Sequence, residues 1–143
     1  MLKMEHELMV RLELPATYAE LSVLSSAITA LLDPIEQITD RERVVYAVQL
    51  AAHEICTNII DHAYAGATDK WIKATLRLAP ATRKLEIELE DSGIACNPDS
   101  IADPDLSQPR ESGYGMYLVR NLVDDVCYTR IAGGNRWTLV KQV

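Results

Sequence analysis

One long, mostly apolar segment, residues 45–64, constrains the fold more than any other feature of the chain. Its composition predicts a helix that is largely buried. Glu54 and Asn58 lie on one face of such a helix, because residues four apart are neighbours on its surface. Burying both groups unpaired costs on the order of several kcal/mol, so they must meet backbone or a ligand. Alone, the pair favours the ordinary interpretation of a solvated stripe on an amphipathic helix, because charged residues are usually exposed.

Composition narrows the class of protein. A length of 143 residues with 48% hydrophobic content predicts one globular domain, spanning 1–143. The net charge of −7 argues against a general nucleic-acid or anionic-membrane binder. Cys56, Cys96 and Cys127 form no C-x-x-C pair, so free thiols in a reducing cytosol are expected. The acidic N-terminus does not resemble a signal peptide, and no apolar run approaches the ~20 residues of a membrane helix. A cytoplasmic protein is therefore expected.

Hydrophobic periodicity predicts the order strand, helix, helix, strand, strand, loop, helix, strand, strand. Thr17 with Glu20, and Thr39 with Glu42, have the spacing of capping boxes at the first two helix starts. The strands are predicted at 8–14, 71–78, 85–91, 126–131 and 137–143, and the helices at about 17–32, 40–63 and 114–124. The third strand alternates apolar residues with a polar row, Glu86, Glu88 and Glu90. The first helix has an apolar stripe formed by Leu21, Leu24, Ile28, Leu31 and Leu32. Strands clustered beside helices predict a two-layer α+β sandwich, with a mixed, mostly antiparallel sheet and helices on one face.

Asp91-Ser92-Gly93 ends a predicted strand and opens an irregular stretch that lasts to residue 112. The ordinary interpretation is a turn, since this tripeptide is common at turns. In the functional interpretation, Asp91 accepts a hydrogen bond from an amino group such as that of adenine. Gly93 lets the backbone approach the base closely, because it has no side chain.

Ser112-Gly113-Tyr114-Gly115 stands directly before a predicted helix. Gly-x-Gly is a weak signal alone, but free N–H groups and the helix dipole favour a phosphate at a helix N-terminus. On the long helix, Asn58 can ligate Mg²⁺ through its carbonyl oxygen. Glu54, one turn earlier, can take a proton from an attacking hydroxyl group or water.

In this order and spacing, the three motifs make the chain resemble the GHKL ATPases, whose Bergerat fold binds ATP in an α/β sandwich. Glu54-x-x-x-Asn58 resembles the N box, Asp91-x-Gly93 the G1 box and Gly113-x-Gly115 the G2 box. The resemblance covers about residues 7–143. It is nearest to the anti-sigma-factor serine kinases, whose corresponding helices and last strand are similar to residues 54–64, 113–126 and 135–141.

The resemblance implies a role for each matching position. The loop 94–111 would be the ATP lid, in which Arg110 would reach the γ-phosphate. The nucleotide site would comprise Asn58 as Mg²⁺ ligand, Glu54 as catalytic base, Asp91 for adenine, Gly93 under the base, Gly113, Tyr114 and Gly115 at the phosphates, and Thr138 supporting the adenine site. Three features depart from the family pattern. Ala95 replaces the second glycine of the G1 box, and Glu111 stands where relatives often have an arginine. In the lid, Cys96-Asn97-Pro98 stands where relatives often have Phe-Asp-Pro.

The function implied is that of an ATP- and Mg²⁺-dependent protein serine/threonine kinase that acts as an anti-sigma regulator. It would bind a sigma factor and phosphorylate a small antagonist of the STAS type, with no direct nucleic-acid or membrane partner, and regulators of this type commonly form homodimers. Ala95 and the altered lid motivate an alternative, a module that sequesters a partner without chemistry. A detached histidine-kinase domain is a third interpretation, although the chain lacks a phosphoacceptor helix pair.

Overall fold

The computed structural model describes residues 6–96 and 115–143. Five strands and three α-helices follow one another in the predicted order. The strands are β1 (Leu8–Pro15), β2 (Trp71–Ala79), β3 (Lys84–Asp91), β4 (Asp125–Ile131) and β5 (Gly134–Gln142), and the helices are α1 (Leu21–Leu32), α2 (Arg41–Asn58) and α3 (Gly115–Leu122). No helix within these ranges is both long and apolar enough to cross a membrane.

The five described strands form one sheet in the order β1-β2-β3-β5-β4. Every neighbouring pair is antiparallel, so the expectation of a mixed sheet is corrected for the described strands. Short turns join β2 to β3 and β4 to β5, and a hairpin of this kind makes its strands antiparallel. The register pairs Asp91, the last residue of β3, with Asn135 near the start of β5.

The three helices cover one face of the sheet, and α2 packs against both α1 and α3. Alternate strand residues such as Leu76, Ile87 and Leu139 are buried beneath them, together with Ile28 of α1 and Ile55 of α2. The apolar stripe predicted for the first helix is buried as expected: Leu21, Leu24, Ile28, Leu31 and Leu32. Helices packed on one face of a sheet make a two-layer α+β sandwich, so the predicted fold class is confirmed.

The other face of the sheet is polar and only partly covered. The predicted polar row on β3 lies there, and two of its carboxylates make cross-strand ion pairs. Arg77 contacts Glu88 at 3.4 Å and Arg136 contacts Glu90 at 2.8 Å. The side chains of these pairs are 23–40% exposed, so water still screens them and each pair contributes little to stability.

The predicted capping boxes are not formed. Thr17 precedes a short 3₁₀ turn, Tyr18–Glu20, and its side chain makes no capping hydrogen bond. The second long helix begins after Asp40, which adopts a left-handed φ of 53°, so Thr39 is not its cap. Instead, the Arg41 guanidinium donates to the carbonyl oxygens of Leu32 and Ile35. An arginine from α2 thereby satisfies acceptors at and just beyond the end of α1.

A π-helical turn, Ile59–Ala63, follows α2 directly. In a π-helix each N–H donates to the carbonyl oxygen five residues earlier. The Tyr64 N–H accordingly donates to the Ile59 carbonyl oxygen at 2.9 Å. The predicted helix to about residue 63 is thus helical throughout, but its last turn is not α. The Ala63 carbonyl oxygen accepts the Ile94 N–H at 2.9 Å, which ties the helix end to the chain after β3. Such turns are frequent at functional sites.

Replacing Gly134 by alanine is expected to lower the free energy of unfolding by about 3 kcal/mol or more. An added Cβ would lie 1.8 Å from the Asp91 carbonyl oxygen, so the backbone must shift. Gly66→Ala is the control, because a Cβ there meets nothing within 4 Å and only its φ of +79° is strained. That strain costs about 1–2 kcal/mol. Equal urea midpoints for the two variants would contradict the prediction.

Candidate functional site

The long helix α2 and the start of α3 bring together two of the predicted motifs. A Cβ added to Gly115 would lie 3.0 Å from Glu54 Oε2 and 3.9 Å from Asn58 Oδ1. Both side chains are half-buried, and the structure therefore places the carboxylate and the amide beside the first residue of α3. This glycine leaves room there that any side chain would fill.

Because the first N–H groups of a helix have no partner within it, the start of α3 is suited to an anion. Only Gly115 of the predicted phosphate-binding motif lies within the described residues. Gly113, Tyr114 and Arg110 lie outside them, as do Glu111 and all of the predicted lid beyond Cys96. Their expected roles stay predictions.

Asp91 lies at the end of β3 with only 7% of its surface exposed. Its Oδ1 atom accepts two hydrogen bonds, from the Gly93 N–H at 2.8 Å and from Asn135 Nδ2 at 2.8 Å. Its Oδ2 atom is buried and has no hydrogen-bond partner among the described residues. A buried acceptor without a partner carries a desolvation cost of about 1–3 kcal/mol or more. A ligand that donates one hydrogen bond would remove that cost.

Burial raises the pKa of the Asp91 carboxyl above its usual range, because desolvation penalises the charged form. Three features oppose this rise in pKa: the hydrogen bonds from Asn135 and from the Gly93 N–H, and the positive charge of Arg130. Asp91 therefore has a higher pKa than an ordinary carboxyl group while its Oδ1 donors favour ionisation.

Gly93 packs directly against the π-helical turn. A Cβ at this position would lie 2.3 Å from the Ala63 carbonyl oxygen and 2.8 Å from the Ala63 Cβ. No L side chain fits there without backbone movement, so the requirement for glycine is steric. The close approach seen at Gly93 is to the protein's own backbone, and its predicted place under the base stays a prediction.

Thr138 is not brought to this site. It pairs with Glu88 on β3 and Cys127 on β4, and it lies on the polar face of the sheet. Side chains alternate along a strand, so Asn135 and Thr138 face opposite sides. Asn135 is fully buried and contacts Asp91 directly. The expectation that Thr138 supports the adenine site is therefore corrected, and Asn135 occupies that place.

Two residues of β4 that carried no predicted role also lie here. Tyr128 donates from its hydroxyl group to Asn135 Oδ1, and Arg130 Nη1 donates to the Gly93 carbonyl oxygen at 2.8 Å. The ring of Tyr128 lies 4.9 Å, centroid to centroid, from the buried ring of Trp137. In the sequence, these two residues were marked only by their place on a predicted strand after the third motif. A place on a strand does not predict which residues a side chain contacts.

Tyr64 holds the other side of the loop that follows β3. The Ser92 N–H donates to its phenolic oxygen at 2.9 Å, and the hydroxyl group donates to the Trp71 carbonyl oxygen. A neighbouring cavity of about 370 Å³ is lined in part by Tyr64, Trp71, Glu90 and Ser92. It includes polar-face residues and does not reach Glu54 or Asn58, so it is separate from the pair on α2.

The described residues fit an adenine nucleotide with Mg²⁺. Asp91 Oδ2 supplies a buried acceptor for an amino group. The amide of Asn58 supplies a hard oxygen ligand, and the start of α3 supplies N–H groups for phosphate. Within residues 6–96 and 115–143, no three His, Cys, Asp or Glu side chains cluster as a metal site. Few protein ligands are typical of Mg²⁺ that is also bound to phosphates.

Comparison with known proteins places this geometry in a family. The model of the histidine kinase-like ATPase domain matches residues 14–141. The chain is 30% identical over 128 residues to serine/threonine-protein kinase BtrW of Bordetella bronchiseptica, over 84% of this chain and 89% of that protein. It is also 30% identical over 87 residues to serine-protein kinase RsbW of Bacillus mycoides, over 55% of this chain. This second match spans about half of that relative, 52% of its length.

Two solved structures share the fold. The RsbU and RsbW domains of Rv1364c from Mycobacterium tuberculosis match with a TM-score of 0.66 and 19% identity, over 94% of this chain and 32% of that one. The histidine kinase domain of the Erythrobacter litoralis EL346 blue-light activated histidine kinase matches with a TM-score of 0.55 and 18% identity, over 90% of this chain and 61% of that one. The resemblance inferred from the three motifs is confirmed, and the chain belongs to the family of histidine kinase-like ATPase domains.

Proposed function

We propose that this chain is an ATP- and Mg²⁺-dependent protein serine/threonine kinase. One observation carries the proposal: the Glu54 carboxylate and the Asn58 amide meet the start of α3, where Gly115 leaves space beside both. The buried, unpartnered Oδ2 of Asp91 adds an acceptor suited to adenine. The relatives named as serine or serine/threonine protein kinases support the same reaction class.

In this proposal Glu54 is the catalytic base. It is half-buried and faces the start of α3, so its carboxylate can accept the proton of an attacking serine or threonine hydroxyl group. Asn58 would hold Mg²⁺ through its side-chain oxygen, and the ion when bound would neutralise phosphate charge. The N–H groups of α3 would orient the transferring phosphate, since phosphoryl transfer depends mainly on positioning and charge.

The partners we propose are a sigma factor, which the protein would bind, and a small antagonist protein of the STAS type, which it would phosphorylate. The names of the relatives support protein phosphorylation. We further propose that residues 1–143 form one ATPase domain with residues 94–111 as its lid, and that it acts in the cytoplasm as a homodimer. Nine-tenths of the length lies within the matched range 14–141, which supports the single domain.

Calorimetry with ATP, in the presence and absence of Mg²⁺, tests the first step. We expect binding that weakens when Mg²⁺ is removed, since Asn58 alone supplies little affinity for the phosphates. Transfer of labelled phosphate from ATP to a co-purifying antagonist protein tests the second step. Absence of ATP binding would refute the proposal. Tight ATP binding without transfer to any partner would instead favour a partner-sequestering module.

A further inference from the structure

Three hydrogen bonds join the β4–β5 hairpin to the segment that follows β3. Arg130 Nη1 donates to the Gly93 carbonyl oxygen at 2.8 Å, and Asn135 Nδ2 donates to the Ile94 carbonyl oxygen at 2.8 Å. The Cys96 N–H donates to the phenolic oxygen of Tyr128 at 2.9 Å. These contacts hold the segment that leaves Asp91 and leads into residues 97–114.

Asn135 is at the centre of this network, and its amide makes four hydrogen bonds. Its Nδ2 donates to Asp91 Oδ1 and to the Ile94 carbonyl oxygen, both at 2.8 Å. Its Oδ1 accepts from the Tyr128 hydroxyl group and from Arg130 Nη1, the latter at 3.3 Å. Arg130 can only donate, and the Ile94 carbonyl can only accept, so the partners themselves determine which end of the amide faces Asp91.

This arrangement gives the two carboxylate oxygens of Asp91 different surroundings. Oδ1 is occupied by Asn135 and by the Gly93 N–H, whereas Oδ2 has no partner among the described residues. Rotation of the carboxylate would break two hydrogen bonds to a charged group, each worth more than a neutral one. The free acceptor therefore has a set direction before any ligand arrives.

We propose that Asn135 is a positioning residue that fixes Asp91 as an acceptor for the base, and so makes the site prefer a 6-aminopurine over a 6-oxopurine. The proposal rests on the proposed binding of ATP. A 6-amino group donates to an ionised carboxylate oxygen, whereas a 6-oxo group presents a second acceptor to it. The preference falls when the Asn135 donor is removed, because the carboxylate is then less firmly held in this orientation and takes up a proton more easily. A protonated carboxyl group can donate to a 6-oxo group.

The charge of Asp91 gives a second readout. Arg130 and Tyr128 face the Asp91–Asn135 pair from β4, the Cys96 thiol lies close enough to interact with the carboxylate, and Tyr64 lies behind Ser92. The Asn135 hydrogen bond holds the pKa of Asp91 below the value that burial alone would produce. Removing that donor raises the pKa of Asp91, so ATP affinity is lost at a higher pH as the solution is acidified.

The experiment compares ATP with inosine triphosphate, both with Mg²⁺, by calorimetry on the wild-type chain and on Asn135→Leu. We expect the wild-type chain to prefer ATP, and Asn135→Leu to bind ATP about tenfold more weakly with little change for inosine triphosphate. The acid limb of its ATP binding should also move to higher pH. Gln142→Leu, at the far end of the same strand, is the matched control and should leave both unchanged.

Asn135→Ser retains one donor and should fall between the wild type and Asn135→Leu, and it carries the test if the leucine variant does not fold. An unchanged ratio of the two affinities and an unchanged acid limb in the variants would overturn the role of Asn135 while leaving ATP binding intact. A wild-type chain that binds neither nucleotide would overturn the proposed function as well, so the two failures are distinguishable.

Discussion

Glu54→Gln is expected to lower the rate of phosphate transfer to the protein substrate by about 10²–10⁴-fold, the usual contribution of a general base. Glutamine has nearly the same shape, so it retains the contact with the start of α3 but cannot accept a proton. ATP affinity should be nearly unchanged, because the base acts on the attacking hydroxyl group and not on the nucleotide. Transfer from labelled ATP under single-turnover conditions gives the rate.

Glu42→Gln is the matched control for this substitution. Glu42 is exposed in the first turn of the same helix, far along the chain from Glu54, so it should leave both transfer and ATP affinity unchanged. Full transfer activity in Glu54→Gln would remove Glu54 from the mechanism. An equal loss in both variants would indicate damage to α2 and not to the chemistry.

Asp91→Asn is expected to weaken ATP binding by about 10–100-fold, because it removes a hydrogen bond between the base and a charged acceptor. The asparagine oxygen can still accept from the Gly93 N–H and from Asn135, so its NH₂ group faces the position of Oδ2. That group repels the amino donor of adenine. The variant should fold, because a buried carboxyl with a raised pKa is replaced by a neutral amide.

Calorimetry measures the affinity, and thermal unfolding confirms that the variant is folded. Glu90→Gln is the control, since Glu90 precedes Asp91 on the same strand but faces the polar side and pairs with Arg136. We expect no change in ATP affinity for it. If Asp91→Asn binds ATP with the affinity of the wild type, Asp91 does not hydrogen-bond to the base.

Local periodicity was sufficient to predict most of the architecture. The alternating pattern of β3 and the apolar stripe of α1 each depend on neighbouring residues alone, and both were confirmed. Helix starts were less predictable. The Thr17 and Thr39 pairs had the right spacing, but a 3₁₀ turn and the left-handed Asp40 occupy those positions instead. A spacing of residues does not contain the backbone dihedral angles that a cap requires.

Some residues of the candidate site could be chosen from the sequence, and others could not. Glu54, Asn58, Asp91 and Gly93 could be chosen from the sequence because each belongs to a short motif with its own chemistry. Asn135 could not be given a role, and Thr138 was given one wrongly. The last strand was predicted to begin at residue 137, which leaves Asn135 outside it. In the structure β5 begins at Gly134, and the register pairs Asp91 with Asn135.

By itself, the sequence determined the order of the elements, the buried face of each, and the three motifs that indicate nucleotide binding. These properties depend on hydrophobic period and on side chains close together in the chain. Only the tertiary structure decided that Gly115 lies beside Glu54 and Asn58, and that Asn135, Tyr128 and Arg130 hold the surroundings of Asp91. Asn135 and Asp91 are 44 residues apart in the chain, and antiparallel pairing of β3 with β5 brings them into contact.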